Sequence, residues 1–482
     1  MRIAHPARPA RRDAVPVDPA TINAALLCRR MLVLTMLAAG TAALLVLAWT
    51  VSWTTVWRGP VRRRERFATA AASIARRQVQ RAGPTFIKGA QLLSTRLDLL
   101  PPTMCAALGT LHDDVPAIPP NLARSLIAQR LGMPVEEVLG ELDPVPVASG
   151  SIACVYRAVL ADGTPVAVKL RRPGLRPLIA ADLKLLRIGT NVLIRTPLLR
   201  GLPAREAVSQ LGTAIIAQLD FTREAAALTA VAAALTELEG VRVPRPHPVL
   251  GGPAYTAAGI LVMEFMEGLT RTRPAELGAA ASRRAVETSL IAVYKMLFLD
   301  GLMHCDLHPG NLYFYPDGSV CLLDAGFTVE LSASAHRAFT EFFFRMGTGN
   351  QRRCADLVLS TTTPPQGFDE QAFRADIGDL VRSVTGVNAA AFNMLDFSTR
   401  LFAVQRAHGL FADPEFIFPL LGLLVLEGAI REFHPTADFQ GLAVPYLMRA
   451  LFTGERAGFR AESPPASQPI SMTGRTSTAT QP

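Results

Sequence analysis

The stretch His304-Cys305-Asp306-Leu307-His308-Pro309-Gly310-Asn311 constrains the fold of this 482-residue chain more than any other. Five of its eight side chains can bind a metal or carry a proton. Three chemistries suit these residue types. A metal site would need His304, Cys305 and His308 to converge. Histidines four apart meet on a helix, and Pro309-Gly310 ends one. A nucleophilic centre would need Cys305 beside a base and an oxyanion nest, which the neighbouring residues do not supply. The third reading pairs Asp306, a carboxylate that accepts a hydroxyl proton, with Asn311, an amide that holds a metal ion. That pair alone is a weak signal, so the choice falls to the rest of the chain.

Thirteen residues beyond Asn311 comes Leu322-Leu323-Asp324-Ala325-Gly326-Phe327, an aspartate between an apolar run and a small-residue turn. In protein kinases an Asp so situated holds Mg²⁺ against the β- and γ-phosphates of ATP. The intervening YPDGSVCL (315–322) supplies the turn and second strand of a hairpin. Upstream, SIACVYRAVL (151–160) and TPVAVKLRR (164–172) are β-rich runs joined by the turn Ala161-Asp162-Gly163. Lys169 ends the second run, where its point charge can meet the α- and β-phosphates. Ala148, Ser149, Gly150 and Ser151 fall at the phosphate-covering position, and their small side chains would let backbone N–H groups approach the nucleotide. Glu224, on a predicted helix, is the natural ion-pair partner of Lys169, its alternative being a solvated helix residue. Order, strand context and spacing agree for four elements. They predict an α+β chain with a bilobal protein-kinase-like fold, in which Lys169, Glu224 and Asp306 are catalytic and Asn311 and Asp324 bind the metal. Within the loop, Cys305 reads as filler, His308-Pro309-Gly310 as shaping residues, and His304 as a packed residue that hydrogen-bonds backbone.

Only four of the 49 basic residues are lysines, so each lysine merits inspection. Lys184 and Lys295 lie in amphipathic stretches and read as ordinary; Lys88 and Lys169 do not. The net charge of +9 could point to nucleic acid. The arginines, however, gather around one apolar segment instead of interleaving with aromatics, which favours membrane lipids as the partner. Six scattered cysteines, with no CxxC pair, indicate a reducing compartment and no zinc module.

That apolar segment, Met31 to Trp57, runs 27 residues without a charge, more than the roughly 20 a bilayer requires. Trp49, Trp53 and Trp57, the only tryptophans, share one helix face as an interfacial belt. A secretory signal or a buried core helix are the other readings of such a run. Four arginines lie in 11–30 and seven in 58–77, so the residues after the span are expected in the cytoplasm. The expected organisation is a tail (1–30), a transmembrane helix (31–57), a basic linker with a helical extension (58–142), an N-lobe (143–268), a C-lobe (269–454) and a disordered tail (455–482). Residues 204–236 read as helical, and the apolar run 416–426 as a core helix too short to span.

GPTFIKGAQLLSTRLDLLP (83–101) resembles the K-x-G-Q motif of the UbiB (AarF-type) atypical kinase-like family, followed by its S-T-R-x-D-L-L-P. QLDFTREA (218–225) is similar to that family's E-x-D motif and helix Glu, and the long interval from Lys169 to Glu224 suits its insertion. The resemblance covers roughly residues 80–440. It implies binding of ATP and Mg²⁺, with Lys88 and Gln91 on helices folded over the site and lying among the groups around the nucleotide. It also implies ATPase or small-molecule kinase activity rather than peptide phosphorylation. A membrane role in isoprenoid quinone biosynthesis is implied as well, with that pathway's enzymes or isoprenoid lipid intermediates as partners. Two positions depart from the pattern: Ala90 replaces the motif glycine and Gln218 the first acidic residue. A soluble kinase of the aminoglycoside or choline type, or a pseudokinase scaffold, are the competing readings.

Overall fold

The computed structural model of the protein describes residues 23–452 except 54–59, 95–99, 101, 110, 112–114, 195–203, 270–273, 309, 363, 387–391, 412 and 432. Trp57 and the tail beyond 455 lie outside the described residues. Four helices precede the lobes: α1 (Ala24–Trp53), α2 (Pro60–Ala82), α3 (Pro84–Ser94) and α4 (Pro102–Gly109). The helix α1 is long and apolar enough to cross a membrane, and its apolar stretch is not buried by the protein. It begins at Ala24, so Arg29 and Arg30 lie within the helix. α1 runs antiparallel along α2. At one end the Arg63 guanidinium stacks 4.3 Å over the Trp53 ring. At the other, Arg30 donates to Asp182 in the N-lobe through Nε at 2.7 Å and Nη2 at 3.0 Å, and to Ala82 O at 2.7 Å. Asp182 is fully buried and accepts a further bond from Thr85 Oγ1 at 2.6 Å. One carboxylate thus ties together α1, the start of α3 and the N-lobe.

Helices α5 (Pro120–Leu131) and α6 (Val135–Val138) lead into the N-lobe sheet. Its strands are β1 (Leu139–Leu142), β2 (Ala148–Ser149), β3 (Ala153–Leu160), β4 (Pro165–Arg171) and, after an excursion, β6 (Ile260–Glu264). All neighbours are antiparallel, in the order β1-β3-β4-β6, with β2 also on β3. The strand β1 falls in the stretch whose pattern reads as helical. Pairing with β3 converts a sequence whose local preference is ambiguous. Alternation then sorts the side chains of β4. Val166, Val168 and Leu170 join one core with α5. Ala167 faces the other, beneath α9 (Phe221–Ala234), and Lys169 shares its parity. The excursion holds α7 (Leu175–Leu193), α8 (Ala204–Ala217), α9, the short strand β5 (Val241–Arg242) and α10 (Pro253–Ala258). The stretch 204–236 is therefore two helices, because Asp220 caps the second by accepting Thr222 N–H at 3.0 Å.

In the C-lobe, α11 (Pro274–Leu277) and α12 (Ala279–Tyr294) are followed by a π-helical turn, Lys295–Asp300, and then by β7 (Leu302–His304). The hairpin β8 (Leu312–Phe314) and β9 (Val320–Leu322), and then β10 (Thr328–Glu330), complete the small sheets. β10 pairs with β7, setting Thr328 opposite His304. Six helices follow: α13 (Ala333–Gly347), α14 (Gln351–Ser360), α15 (Glu370–Val384), α16 (Met394–Ala407), α17 (Pro414–Ile430) and α18 (Phe439–Phe452). As the apolar run 416–426 predicts, α17 is a core helix: Phe416, Ile417, Leu420 and Leu426 are buried. The Phe339 ring lies 4.9 Å from that of Phe343 in a tilted pair and 5.1 Å from that of Phe416 edge to face. A Cβ on Gly422 of α17 would run into the Met303 side-chain methyl of β7, while the nearest backbone atoms, Cys305 Cα and His304 O, would stand at an ordinary contact distance of 3.4 Å.

Deleting residues 1–60 removes Arg30, the charge partner of Asp182, and leaves Thr85 as its described donor. Breaking a buried pair from one side costs about 3–5 kcal/mol. Urea melts should find the truncated chain weaker by about that amount, and Asp182→Asn in the truncated background should recover most of it. Equal stability of full and truncated chains would mean that the pair carries no weight.

Candidate active site

Three groups that the sequence brings together only by analogy meet on one ammonium. Lys169 Nζ lies 2.5 Å from Glu224 Oε1 and 3.0 Å from Asp324 Oδ2. Lys169 gets there because its parity on β4 aims it at α9, and Glu224 because the Asp220 cap fixes where α9 begins. Asp324 has φ 49, the one positive φ at a non-glycine among the described residues. Its carboxylate accepts Gly326 N–H at 3.1 Å. Backbone strain of this kind persists where surrounding structure over-determines it, and it clusters at ligand sites. The Asp324 side chain stays 45% exposed to the cleft, so it can take a ligand. A Cβ on Gly326 would stand 3.0 Å from Asp324 Oδ1, so a side chain here would push that carboxylate aside by a few tenths of an ångström.

Burial alone would lower the Lys169 ammonium, but Asp324 and Glu224 outweigh it and hold the group above its ordinary range. Enclosure works to raise the Asp324 carboxyl, yet Lys169, then Lys88 and the Gly326 amide, hold it well below the usual carboxylate range. Burial pushes the Glu224 carboxyl upward against the pull of Lys169, and Asp324 adds to the rise. Asp324 thus stays ionised and open to the cleft, which suits a cation.

The catalytic loop is laced to the Asp324 turn. His304, fully buried at the end of β7, accepts Asp306 N–H on Nδ1 at 3.3 Å, and its Nε2 meets Leu323 O at 3.1 Å. Both ring nitrogens are committed and burial lowers its pKa, so it is a neutral strut, not a metal ligand. Cys305 N–H donates to Phe327 O, and Leu323 N–H to Asn311 O. Burial raises the Cys305 thiol far above its ordinary range, which rules out a thiolate nucleophile. Asn311 Nδ2 donates to Asp306 O at 2.9 Å and reaches Asp306 Oδ2 at 3.4 Å. That leaves Oδ1 as the end of the amide suited to a metal. His308 accepts Gly310 N–H on Nδ1 and stands 3.7 Å from Asp306 through Nε2, so it shapes the loop.

Lys88, on α3, reaches the catalytic loop, with Nζ 3.9 Å from Asp306 Oδ2. Gln91 is held within the extension, donating to Leu111 O at 3.0 Å. The Asp220 carboxylate caps α9, and Gln218 is buried with its Nε2 unpartnered among the described residues. The small-residue segment begins as strand β2: Ala148 and Ser149 pair with Val155 and Cys154, and Gly150 N–H closes a turn onto Ala153 O at 2.9 Å. Ser151 Oγ is buried with no hydrogen-bond partner among the described residues. Sequence reading missed Arg172, which donates to Gly150 O at 2.8 Å and Ser149 Oγ at 3.0 Å and so clamps this turn. It also missed Asp182 and Arg30. No local signal marks any of the three, since their partners are distant in sequence.

Among the described residues no three His, Cys, Asp or Glu side chains cluster as a self-contained metal site. Asp324 and Asn311 are hard oxygen donors of the kind Mg²⁺ takes when substrate phosphates and water complete its shell. The residues fit that ion and not zinc.

Comparison with known proteins matches residues 110–358 to the ABC1 atypical kinase-like domain. A Pseudomonas putida protein named probable protein kinase UbiB is 31% identical over 77% of this chain and 69% of its own. An uncharacterized Synechocystis protein is 28% identical over 68% and 82%. A Mycobacterium tuberculosis protein, Rv3197, solved in complex with erythromycin, has the same fold with TM-score 0.50 and 22% identity, over 68% of this chain and 83% of its own.

The pH dependence of the ion-pair cluster follows from its shifts. The depressed Asp324 contributes stability that is present above its ordinary value of 3.8 and lost as pH falls through the folded one. The raised Lys169 contributes stability present below 10.5 and lost as pH rises through the folded one. Lys169→Met should therefore cost about 3–5 kcal/mol at neutral pH. Most of that loss comes from Glu224, because Asp324 is partly screened by solvent. In urea melts the deficit should shrink first as pH falls through about 7, where Glu224 takes up a proton, and again below 3.8 as Asp324 does. The same deficit at acid and neutral pH would contradict the assigned charges.

Proposed function

Because this chain belongs to the ABC1 atypical kinase-like family, we propose that it binds Mg-ATP between its lobes and works as a membrane-attached ATPase or small-molecule kinase in support of isoprenoid quinone biosynthesis. The observation that carries the nucleotide reading is the bridge from Lys169 to Glu224 and Asp324, with Asp324 held at a strained φ and open to the cleft. Both the lysine–glutamate pair and the metal-holding aspartate must be in position for phosphoryl transfer in kinase folds, and here they share one ammonium.

In this reading Asp324 and Asn311 hold Mg²⁺, which when bound neutralises charge on the β- and γ-phosphates. Lys169 turns its ammonium to the α- and β-phosphates while Glu224 keeps its stem in line. The turn at Gly150 covers the phosphates, and the unpartnered Ser151 hydroxyl donates to one of their oxygens. Asp306 accepts the proton of the attacking hydroxyl. Because α3 brings Lys88 to within 3.9 Å of Asp306, the acceptor is water or a small hydroxylated molecule rather than a peptide. Attachment to the membrane rests on the exposed apolar surface of α1. The catalytic lobes are assigned to the cytoplasm, and the quinone role follows the UbiB resemblance.

Removing the metal ligand and removing the base should fail differently. Ligand at a hundredfold excess over its Kd stabilises a native protein by about 2.7 kcal/mol. That is a melting shift of a few degrees in a chain of this size. Wild type and Asp306→Asn should both show the Mg-ATP shift, while Asp306→Asn loses about 10²–10⁴-fold in turnover. Asp324→Asn should lose most of the shift itself. Equal shifts in all three proteins, with no turnover in any, would leave a nucleotide-binding scaffold and sink the catalytic reading.

A further inference from the structure

The way α1 is held bears on how the chain meets a bilayer. Arg30 is bonded to buried Asp182, so the N-terminal end of α1 sits on the N-lobe. Trp53, at the other end, sits against Arg63 at the start of α2, and α2 returns to the N-lobe at Ala82, whose carbonyl Arg30 also holds. At 1.5 Å per residue the 23 residues from Arg30 to Trp53 cover about 35 Å, the thickness of a bilayer core. A spanning α1 with Arg30 in position would carry Trp53 to the far side. The helix α2, with arginines at 62, 63, 64, 66, 76, 77 and 81, would then have to come back through hydrocarbon. Arginine in hydrocarbon is costly, and this helix offers no partner for so many. Spanning in the opposite sense would pull Arg30 across the membrane and leave Asp182 buried and unpaired.

The surface of the hairpin suits a different arrangement. Met31, Met36, Val46, Leu47 and Trp49 are all at least half exposed, and Trp53 is 46% exposed. Arg62, Arg64, Arg66, Arg77 and Arg81 are exposed on α2, the helix packed along α1. An apolar helix paired with one that carries exposed guanidinium groups can sink into a leaflet while its partner meets anionic headgroups.

We propose that α1 and α2 form one in-plane hairpin that docks on the surface of an anionic bilayer, α1 sinking into one leaflet and the α2 arginines meeting lipid phosphates, with neither helix crossing. This rests on the membrane attachment assigned to α1 above and replaces the single-pass arrangement that the apolar run predicts. Nucleic acid, the other polyanion, has no such use for the exposed apolar side chains.

The test uses the full chain with a protease-cleavable tag before Met1, in sealed vesicles sorted so that the lobes face outward. All three tryptophans lie at 49–57, so intrinsic fluorescence reports that end of the hairpin alone. Three results are expected. External protease removes the tag from intact vesicles. Brominated lipid exchanged into the outer leaflet quenches the tryptophans. Association falls about tenfold or more from vesicles with anionic lipid to pure phosphatidylcholine, as several basic contacts at the surface would give. A tag protected until lysis would establish a single crossing and overturn the proposal. A cleaved tag with tryptophans insensitive to the outer leaflet would establish two crossings and overturn it equally. Affinity independent of anionic lipid, or greater for RNA than for vesicles, would refute the docking chemistry. No association with any vesicle would remove the attachment reading itself, while leaving the nucleotide assignment to its own test.

Discussion

The Lys169 ammonium is the point on which the catalytic half of the structure depends. It is almost wholly enclosed, and it is shared between Glu224 from α9 and Asp324 from the turn after β9. A buried cation of this kind is tolerable only when it is paired and hydrogen-bonded. The pairing therefore fixes three elements relative to one another: a strand of the N-lobe sheet, the helix above it and a turn of the C-lobe. The remaining order in the site is built outward from that point. Gly326 leaves the Asp324 carboxylate its place, His304 ties the Asp324 turn to the loop at 304–311, and Asn311 is oriented by the Asp306 carbonyl.

A second buried carboxylate organises the other side of the molecule. Asp182 receives Arg30 and Thr85, so the apolar helix, the cover helix and the N-lobe are joined at one residue. Thr85 lies three residues before Lys88, nearly one helical turn. The group that reaches Asp306 is thus anchored close to the group that holds α1. The two halves differ in their openness. The catalytic cluster keeps Asp324 exposed for a ligand, whereas Asp182 is sealed and serves only to hold segments together.

Much of the catalytic site was legible because its spacing is set locally. Asp306 and Asn311 sit in one loop, Asp324 follows a hairpin of fixed length, and Lys169 follows an Asp-Gly turn, so the residue order alone implies their proximity. Glu224 was readable only with the DFTREA segment beside it, since 55 positions separate it from Lys169. What escaped was decided by long-range pairing. Leu139–Leu142 contains a glycine and follows a helical turn, and only its partner β3 makes it a strand. The Ala-rich run 204–236 hid the Asp220 cap, although an Asp just before an apolar helical residue, here Phe221, is an ordinary start signal. Arg30 looked like a positive flank of a membrane span, and nothing near it in sequence names a partner 152 residues away. Those bonds, with Arg63 over Trp53 at the other end, mark α1 as one half of a hairpin.

The account makes the metal dependent on the nucleotide. One exposed carboxylate and one amide are too few donors to hold a divalent ion alone, whereas added phosphate oxygens complete an octahedral shell. The direct measurement is electron paramagnetic resonance of Mn²⁺, standing in for Mg²⁺, titrated with the full-length protein. The free-ion signal should persist with protein alone and fall beyond the effect of free ATP when protein and ATP are both present. This loss should be absent in Asp324→Asn. Tight Mn²⁺ binding without nucleotide, or ATP binding equally well in the presence of a chelator, would contradict the assignment of Asp324 and Asn311 as partners of a nucleotide-bound metal.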